Sequence, residues 1–214
     1  MPRLTRFDTQ ALRPPALTPD ASACTQRGAA PWAAVLAWCH QADGAAPQAV
    51  LAGHGAQAWA EALACQLDGS QRLAGLGRAA GLAWRLGLVL RETWARRHRD
   101  DPWDAGWPLD NAAGHDHLAR HWWPRRPTLL LADAALAEPL SAVHQALAAR
   151  LRAASAGPAL PVRWLWVAQT MAAASAPAPT VAPAGPSPQA LRFSPGAAPR
   201  ADVPAAQAGQ PHRA

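Results

Sequence analysis

The chain has 214 residues and carries a net charge of +6, with twenty Arg, no Lys and fourteen acidic residues. Its three Cys (Cys24, Cys39 and Cys65) lack CxxC spacing, which argues against a disulfide framework and a zinc knuckle. No uninterrupted apolar run reaches the ~20 residues that a membrane span needs, and the N-terminus has no apolar core of signal-peptide length, so no membrane association and a cytoplasmic location are expected.

Half the residues are hydrophobic by count, but many are Ala, which buries little area. Ile, Tyr and Lys are missing and Asn occurs once, at Asn111. Those residues have AT-rich codons, so the bias is that of a GC-rich coding sequence. A basic balance permits nucleic-acid binding. However, the Arg residues are scattered apart from 91–100 and 123–127, and such clusters read first as solvated helix faces.

In chain order, residues 1–29 are Pro-punctuated without a sustained period and read as an irregular or disordered segment. Residues 32–41 read as a helix and 48–53 as a short buried strand. Residues 56–67 carry apolar side chains at 59, 62, 63 and 67, a helical spacing. In the long segment that follows, Gly75, Gly77, Gly81 and Gly87 argue against one straight helix, so 84–92 is read as a second strand. Residues 100–110 are rich in turn formers and read as a loop, and 111–123 read as a short helix. "PTLLLAD" (127–133) is an apolar run ending in Asp. Residues 138–155 have apolar positions at 140, 143, 147 and 151, and 161–169 form another apolar run. Strand, helix and strand with short connections make a βαβ unit. The fold class expected over 30–171 is therefore α/β, a parallel sheet with helices on both faces. Residues 172–214, dominated by Ala, Pro, Gly and Ser, read as a disordered tail.

In such a sheet, ligands bind at the carboxyl ends of the strands. Three stretches would meet there: the loop after residue 52, Asp133 and Gln169. "AGHGA" (52–56) stands between a strand and a helix, where a phosphate-binding loop would read G-x-x-x-x-G-K-[ST]. Counted from Gly53, the second glycine is Ala58, the Lys is Trp59 and the hydroxyl residue is Ala60. Gly53 and Gly55 suit the turn, and the following helix N-terminus attracts anions weakly; taken alone, "GHG" between strand and helix is more often an ordinary βα turn. Asp133 stands where a nucleotide-hydrolysing protein keeps its magnesium ligand, and also where an Asp caps the next helix. Gln169 at a strand end could sense a γ-phosphate.

Residues 33–170 resemble the nucleotide-binding core of bacterial STAND-type P-loop NTPases, signalling ATPases related to the AAA superfamily. The likeness lies in "AVLAGHGAQAWAEALACQL" as loop plus helix, "RRPTLLLADAAL" as the Walker B strand and "PVRWLWVAQT" as the sensor strand. The resemblance implies a P-loop fold, with Gly53 as the first Walker A glycine and Asp133 as the ligand of Mg2+. Trp59, Ala60 and Ala134–Ala135 depart from the pattern, Gln169 stands where Arg is frequent, and no helical lid follows. With no Lys or hydroxyl, ATP and Mg2+ binding should be weak or lost, and hydrolysis lost. The expected function is a degenerate P-loop NTPase-like domain acting as a protein-interaction or regulatory module. An ATPase with an atypical Walker A loop is the alternative.

A further alternative is a metal-dependent hydrolase. His117 and His121 lie four apart, with His115 and Asp116 beside them and His98 or Asp110 as a third ligand. Trp84, Trp94, Trp103, Trp107, Trp122 and Trp123 would form either a stacking surface between Arg residues or core anchors. Cys39 and Cys65 sit in apolar runs and read as core residues.

Overall fold

A computed structural model describes residues 8–16, 30–41, 47–93, 101–154, 160–169 and 191–193. They form an α/β fold around a six-stranded sheet in the order β1-β3-β4-β5-β2-β6. The strands are β1 (Leu12–Arg13), β2 (Gln48–Ala52), β3 (Asp104–Pro108), β4 (Thr128–Asp133), β5 (Val162–Ala168) and β6 (Leu191–Phe193). All neighbours pair in parallel except β1, which runs antiparallel to β3 at one edge. The helices are α1 (Ala30–His40), α2 (Ala56–Leu67), α3 (Ser70–Ala74), α4 (Arg78–Thr93), α5 (Ala112–Arg120) and α6 (Ala137–Ala153). Among the described residues, no helix is long and apolar enough to cross a membrane.

Side-chain alternation along the strands divides the core into two layers. Ala49 and Leu51 of β2, Leu129 and Leu131 of β4, and Leu165 and Val167 of β5 pack with α1 and α2. Their neighbours Val50, Leu130, Trp164 and Trp166 pack on the other face with α5 and α6. The chain steps from β2 across to β3, then back through β4 to β5. If the crossovers share one hand, reversing the direction of travel moves the connecting helices to the opposite face, which is the division observed.

Helix α1 is tied to the sheet by a buried charge. Arg163 of β5 is 1% exposed. Its Nε donates to the carbonyls of Trp38 and Cys39, each at 3.2 Å, and its Nη2 donates to the carbonyl of Gln41. The Trp38 and Cys39 carbonyls lie in the last turn of α1 and that of Gln41 just beyond it, where a cation is favoured; Trp38 also accepts from the Gln41 N–H at 3.2 Å.

The structure corrects three expectations. Residues 84–92 are not a strand but the second half of α4, because Leu82, Leu86, Val89 and Leu90 repeat at helical spacing. Gly81 is useful within that helix: a Cβ there would lie 3.2 Å from Cδ1 of Leu73, so its bare backbone lets α4 close on α3. Residues 104–108, read as loop, form β3. "DAGWP" has weak strand propensity, and the strand exists because its backbone pairs with β4 on one side and β1 on the other. Leu191–Phe193, within the tail expected to be disordered, pairs in parallel with β2. The rest of 172–214, and residues 17–29 of the N-terminal segment, lie outside the described residues.

Candidate functional site

The parallel register brings the strand ends to one edge. Ala52 of β2 pairs with Ala168 of β5, and Asp133 of β4 pairs with Val167. The turn after β2, Asp133 and Gln169 are therefore neighbours, as the α/β pattern leads one to expect. Asp133 and Gln169 line a cleft of about 350 Å³ together with Arg13, Gln57, Trp107 and Asp110. Leu131, Leu140 and Val167 supply apolar wall. Arg13 and Trp107 are direct partners across β1 and β3, so their side chains rise from the same face of the sheet. Trp107 is 7% exposed, and its indole nitrogen has no hydrogen-bond partner among the described residues. Gln57 and Gln169 also line a shallower hollow of about 450 Å³ over the turn, with His54, Gly55, Ala58 and Glu61.

The turn itself is three residues long: β2 ends at Ala52 and α2 begins at Ala56. Gly53 has φ 137° and Gly55 φ 79°, left-handed values that favour glycine. Gly55 is the N-cap of α2. The N–H of Gly53 donates to the Ala168 carbonyl at 3.0 Å and that of Ala56 to the Gly53 carbonyl at 3.1 Å. A phosphate cradle needs successive N–H groups turned inward around the anion. Here the Gly53 N–H is spent on β5 and the Ala56 N–H on closing the turn itself.

The structure moves Trp59 and Ala60 away from the site. Because α2 starts at residue 56, Trp59 is its fourth residue and points into the layer between α2, α1 and the sheet. The Trp59 side chain is 2% exposed, and its ring meets that of Trp32 edge-on at 4.7 Å with an interplanar angle of 70°. Ala60 is fully buried in the same cluster. Trp59 therefore does not crowd a phosphate. It is a core anchor, which counting from Gly53 alone could not reveal.

Asp133 acts as the cap that its place at a strand end allows. Its Oδ1 accepts from the N–H of Ala135 at 2.9 Å and caps the 3-10 turn Ala134–Leu136; the residue is exposed and lines the cleft. Neither the turn nor the first turn of α2 carries the Lys or hydroxyl side chain that a phosphate-binding loop sets against a magnesium nucleotide. The carboxylate of Glu61, which accepts from Gln57 Nε2 at 3.4 Å, lines the hollow where an anion would have to sit.

Of the His constellation, His117 and His121 stay together while Asp110 and Asp116 do not join them. His117 Nε2 lies 3.1 Å from Asp8 Oδ2, and the rings of His117 and His121 are 5.9 Å apart. Both line a separate cleft of about 440 Å³ with Asp8, Asp104 and Arg125. Asp116 pairs with Arg120 at 2.7 Å, Asp110 belongs to the Asp133 cleft, and His98 lies outside the described residues. The Trp residues do not form a stacking platform either. Trp103, Trp107 and Trp122 are buried and Trp84 is half-buried; Trp123 alone of the described ones is exposed. Trp94 lies outside the described residues. Cys39 and Cys65 are free and buried.

Sequence reasoning missed Arg13 and Asp8, and read Trp107 as a stacking or core residue and not as part of the Asp133 cleft. Each comes from a segment without periodicity, and no local signal marks a two-residue edge strand or the loop-like "DAGWP".

Fold and site together define an α/β protein with a mostly parallel sheet and a mixed polar and apolar cleft at its carboxyl edge. Comparison with known protein families, with characterised proteins and with solved structures finds no match for this chain.

Proposed function

We propose that the chain is a degenerate P-loop NTPase-like domain that has lost nucleotide hydrolysis and tight ATP binding, and that it acts as a protein-interaction or regulatory module of the signalling-ATPase type. The observation that carries the proposal is the turn Gly53–Gly55. It occupies the strand-to-helix position where a phosphate-binding loop belongs, beside an Asp-ended and a Gln-ended strand, yet it is only three residues long. Such a turn can offer an anion the N-terminus of α2, but not a wrapped cradle, a Lys or a hydroxyl ligand for magnesium. Charge developing in phosphoryl transfer would have no stabiliser at the turn.

The test is release of inorganic phosphate from Mg-ATP by the purified chain. The proposal predicts no turnover above the uncatalysed background. Turnover that disappears in Asp133→Ala would overturn it and favour a working ATPase with an atypical loop.

A further inference from the structure

We infer that the cleft at the carboxyl edge of the sheet is a binding site for a free amino acid with an apolar side chain. The carboxylate of the ligand meets Arg13, its ammonium meets Asp110 and Asp133, and its side chain lies on the apolar floor between them. The inference goes beyond the proposed loss of nucleotide binding and does not depend on it.

The topology sets the position. Helix α2 packs on one face of the sheet and α6 on the other, and the cleft opens between them at the strand ends. An open α/β sheet takes its ligands in such a crevice. The register then sets the lining. Arg13 is paired with Trp107. Gly106 is paired with Leu130, which puts Trp107 level with Leu131, and Asp133 follows Leu131 by two residues. Paired residues, and residues two apart on a strand, share a face of the sheet. Arg13, Trp107, Leu131 and Asp133 therefore rise together. Trp107, Leu131, Val167 and, from α6, Leu140 are buried and still line the cleft, whereas Arg13, Asp110 and Asp133 are exposed. The cleft thus has an apolar floor and a charged rim. Its volume of about 350 Å³ suits a small molecule.

The rim charges select the ligand. All three line one cleft, yet among the described residues Arg13 forms an ion pair with neither carboxylate. Only β3 stands between β1 and β4, so the backbones at Arg13 and Asp133 are two strand spacings apart across the sheet, about 10 Å. That spacing keeps the charges from meeting, while one small molecule between the two side chains can reach both. Asp133 gives its Oδ1 to the Ala135 N–H, which leaves Oδ2 for a ligand. A polyanion would face two carboxylates here. A simple amine would be opposed by Arg13, and a simple carboxylate by Asp110 and Asp133. A zwitterion answers both signs of charge, and the floor asks for an apolar body. An amino acid such as leucine has both.

Isothermal titration calorimetry on the full chain compares L-leucine with L-leucinamide, which lacks the carboxylate, and N-acetyl-L-leucine, which lacks the ammonium. L-leucine should bind, and each analogue should bind roughly tenfold or more weakly. Arg13→Gln should weaken L-leucine by a similar factor and leave L-leucinamide unchanged. Asp133→Asn, which keeps an oxygen for the Ala135 N–H, should weaken L-leucine and leave N-acetyl-L-leucine no weaker. Both side chains are exposed, so circular dichroism melts should be unchanged, and in each variant the unaffected analogue reports that the cleft is intact. No binding of L-leucine at millimolar concentration overturns the inference. So does equal binding of the three ligands, which would leave the rim charges without a role. A folded variant that weakens L-leucine and its unaffected analogue alike also overturns it. Phosphate release from Mg-ATP is measured separately: turnover together with leucine binding defeats the reading of a lost nucleotide site but not this cleft, and a chain that shows neither does the reverse.

Discussion

Trp59 occupies the place of a catalytic Lys when residues are counted from Gly53, yet its ring lies in the core against Trp32. Restoring the Lys should therefore not restore a site. Trp59→Lys removes a buried aromatic ring and inserts a charge, and should cost at least about 4 kcal/mol with no gain in ATP binding; chemical denaturation with and without Mg-ATP measures both. Two glycines make a sharper comparison. Gly55 and Gly69 both hold left-handed backbones, at φ 79° and 76°. A Cβ at Gly55 would meet nothing within 4 Å, whereas one at Gly69 would lie 2.7 Å from the Trp84 ring. Gly55→Ala should cost about 1 kcal/mol, the backbone strain alone. Gly69→Ala should cost about 1–3 kcal/mol more, because the Trp84 ring must give way. Equal destabilisation of the two would show that Trp84 does not rest on Gly69. Cys39 adds a pH dependence. Burial pushes its thiol up to about 12, against a smaller opposite pull from Arg163. The folded state thus holds the proton more tightly than the unfolded chain. The stability gained is complete below the ordinary value of 9.0 and is lost as pH rises towards about 12. In the native protein Cys39 should resist iodoacetamide at pH 8 and react once the chain is unfolded.

Among the elements, those with a strict period were legible from sequence. The helical spacing at 59, 63 and 67 marks α2, and the βαβ pattern of 127–169 marks β4, α6 and β5 with nearly their observed bounds. The errors arose where tertiary context decides. β3 has poor strand propensity and is held by pairing on both sides; Gly75 and Gly77 do separate α3 from α4, whereas Gly81 and Gly87 stand inside α4, one against Leu73 of α3 and one facing open space. At the candidate site, the positions of Asp133 and Gln169 were readable because both end apolar strands. The fate of Trp59 and Ala60 was not, because it depends on α2 beginning at residue 56. Arg163 shows how one polar side chain can couple two elements. Arg163→Leu would leave the carbonyls at the end of α1 without these donors inside the core and should cost about 2–4 kcal/mol. Hydrogen exchange should then show α1 losing protection before β5; uniform loss would mean that α1 is not held chiefly by this residue.

For the whole molecule, one parallel sheet sets a turn, an Asp and a Gln side by side, while the residues that would cradle and neutralise a nucleotide are spent on the core or absent. The central claim is the proposed loss of tight ATP binding at this edge. Thermal unfolding of the full chain with and without millimolar Mg-ATP tests it most directly, because a ligand of the native state stabilises it by RT ln(1 + [L]/Kd). The account predicts superimposable melting curves. A clear rise in Tm with Mg-ATP that is lost in Gly53→Asp, while that variant still melts cooperatively, would contradict it and restore the turn as a nucleotide site.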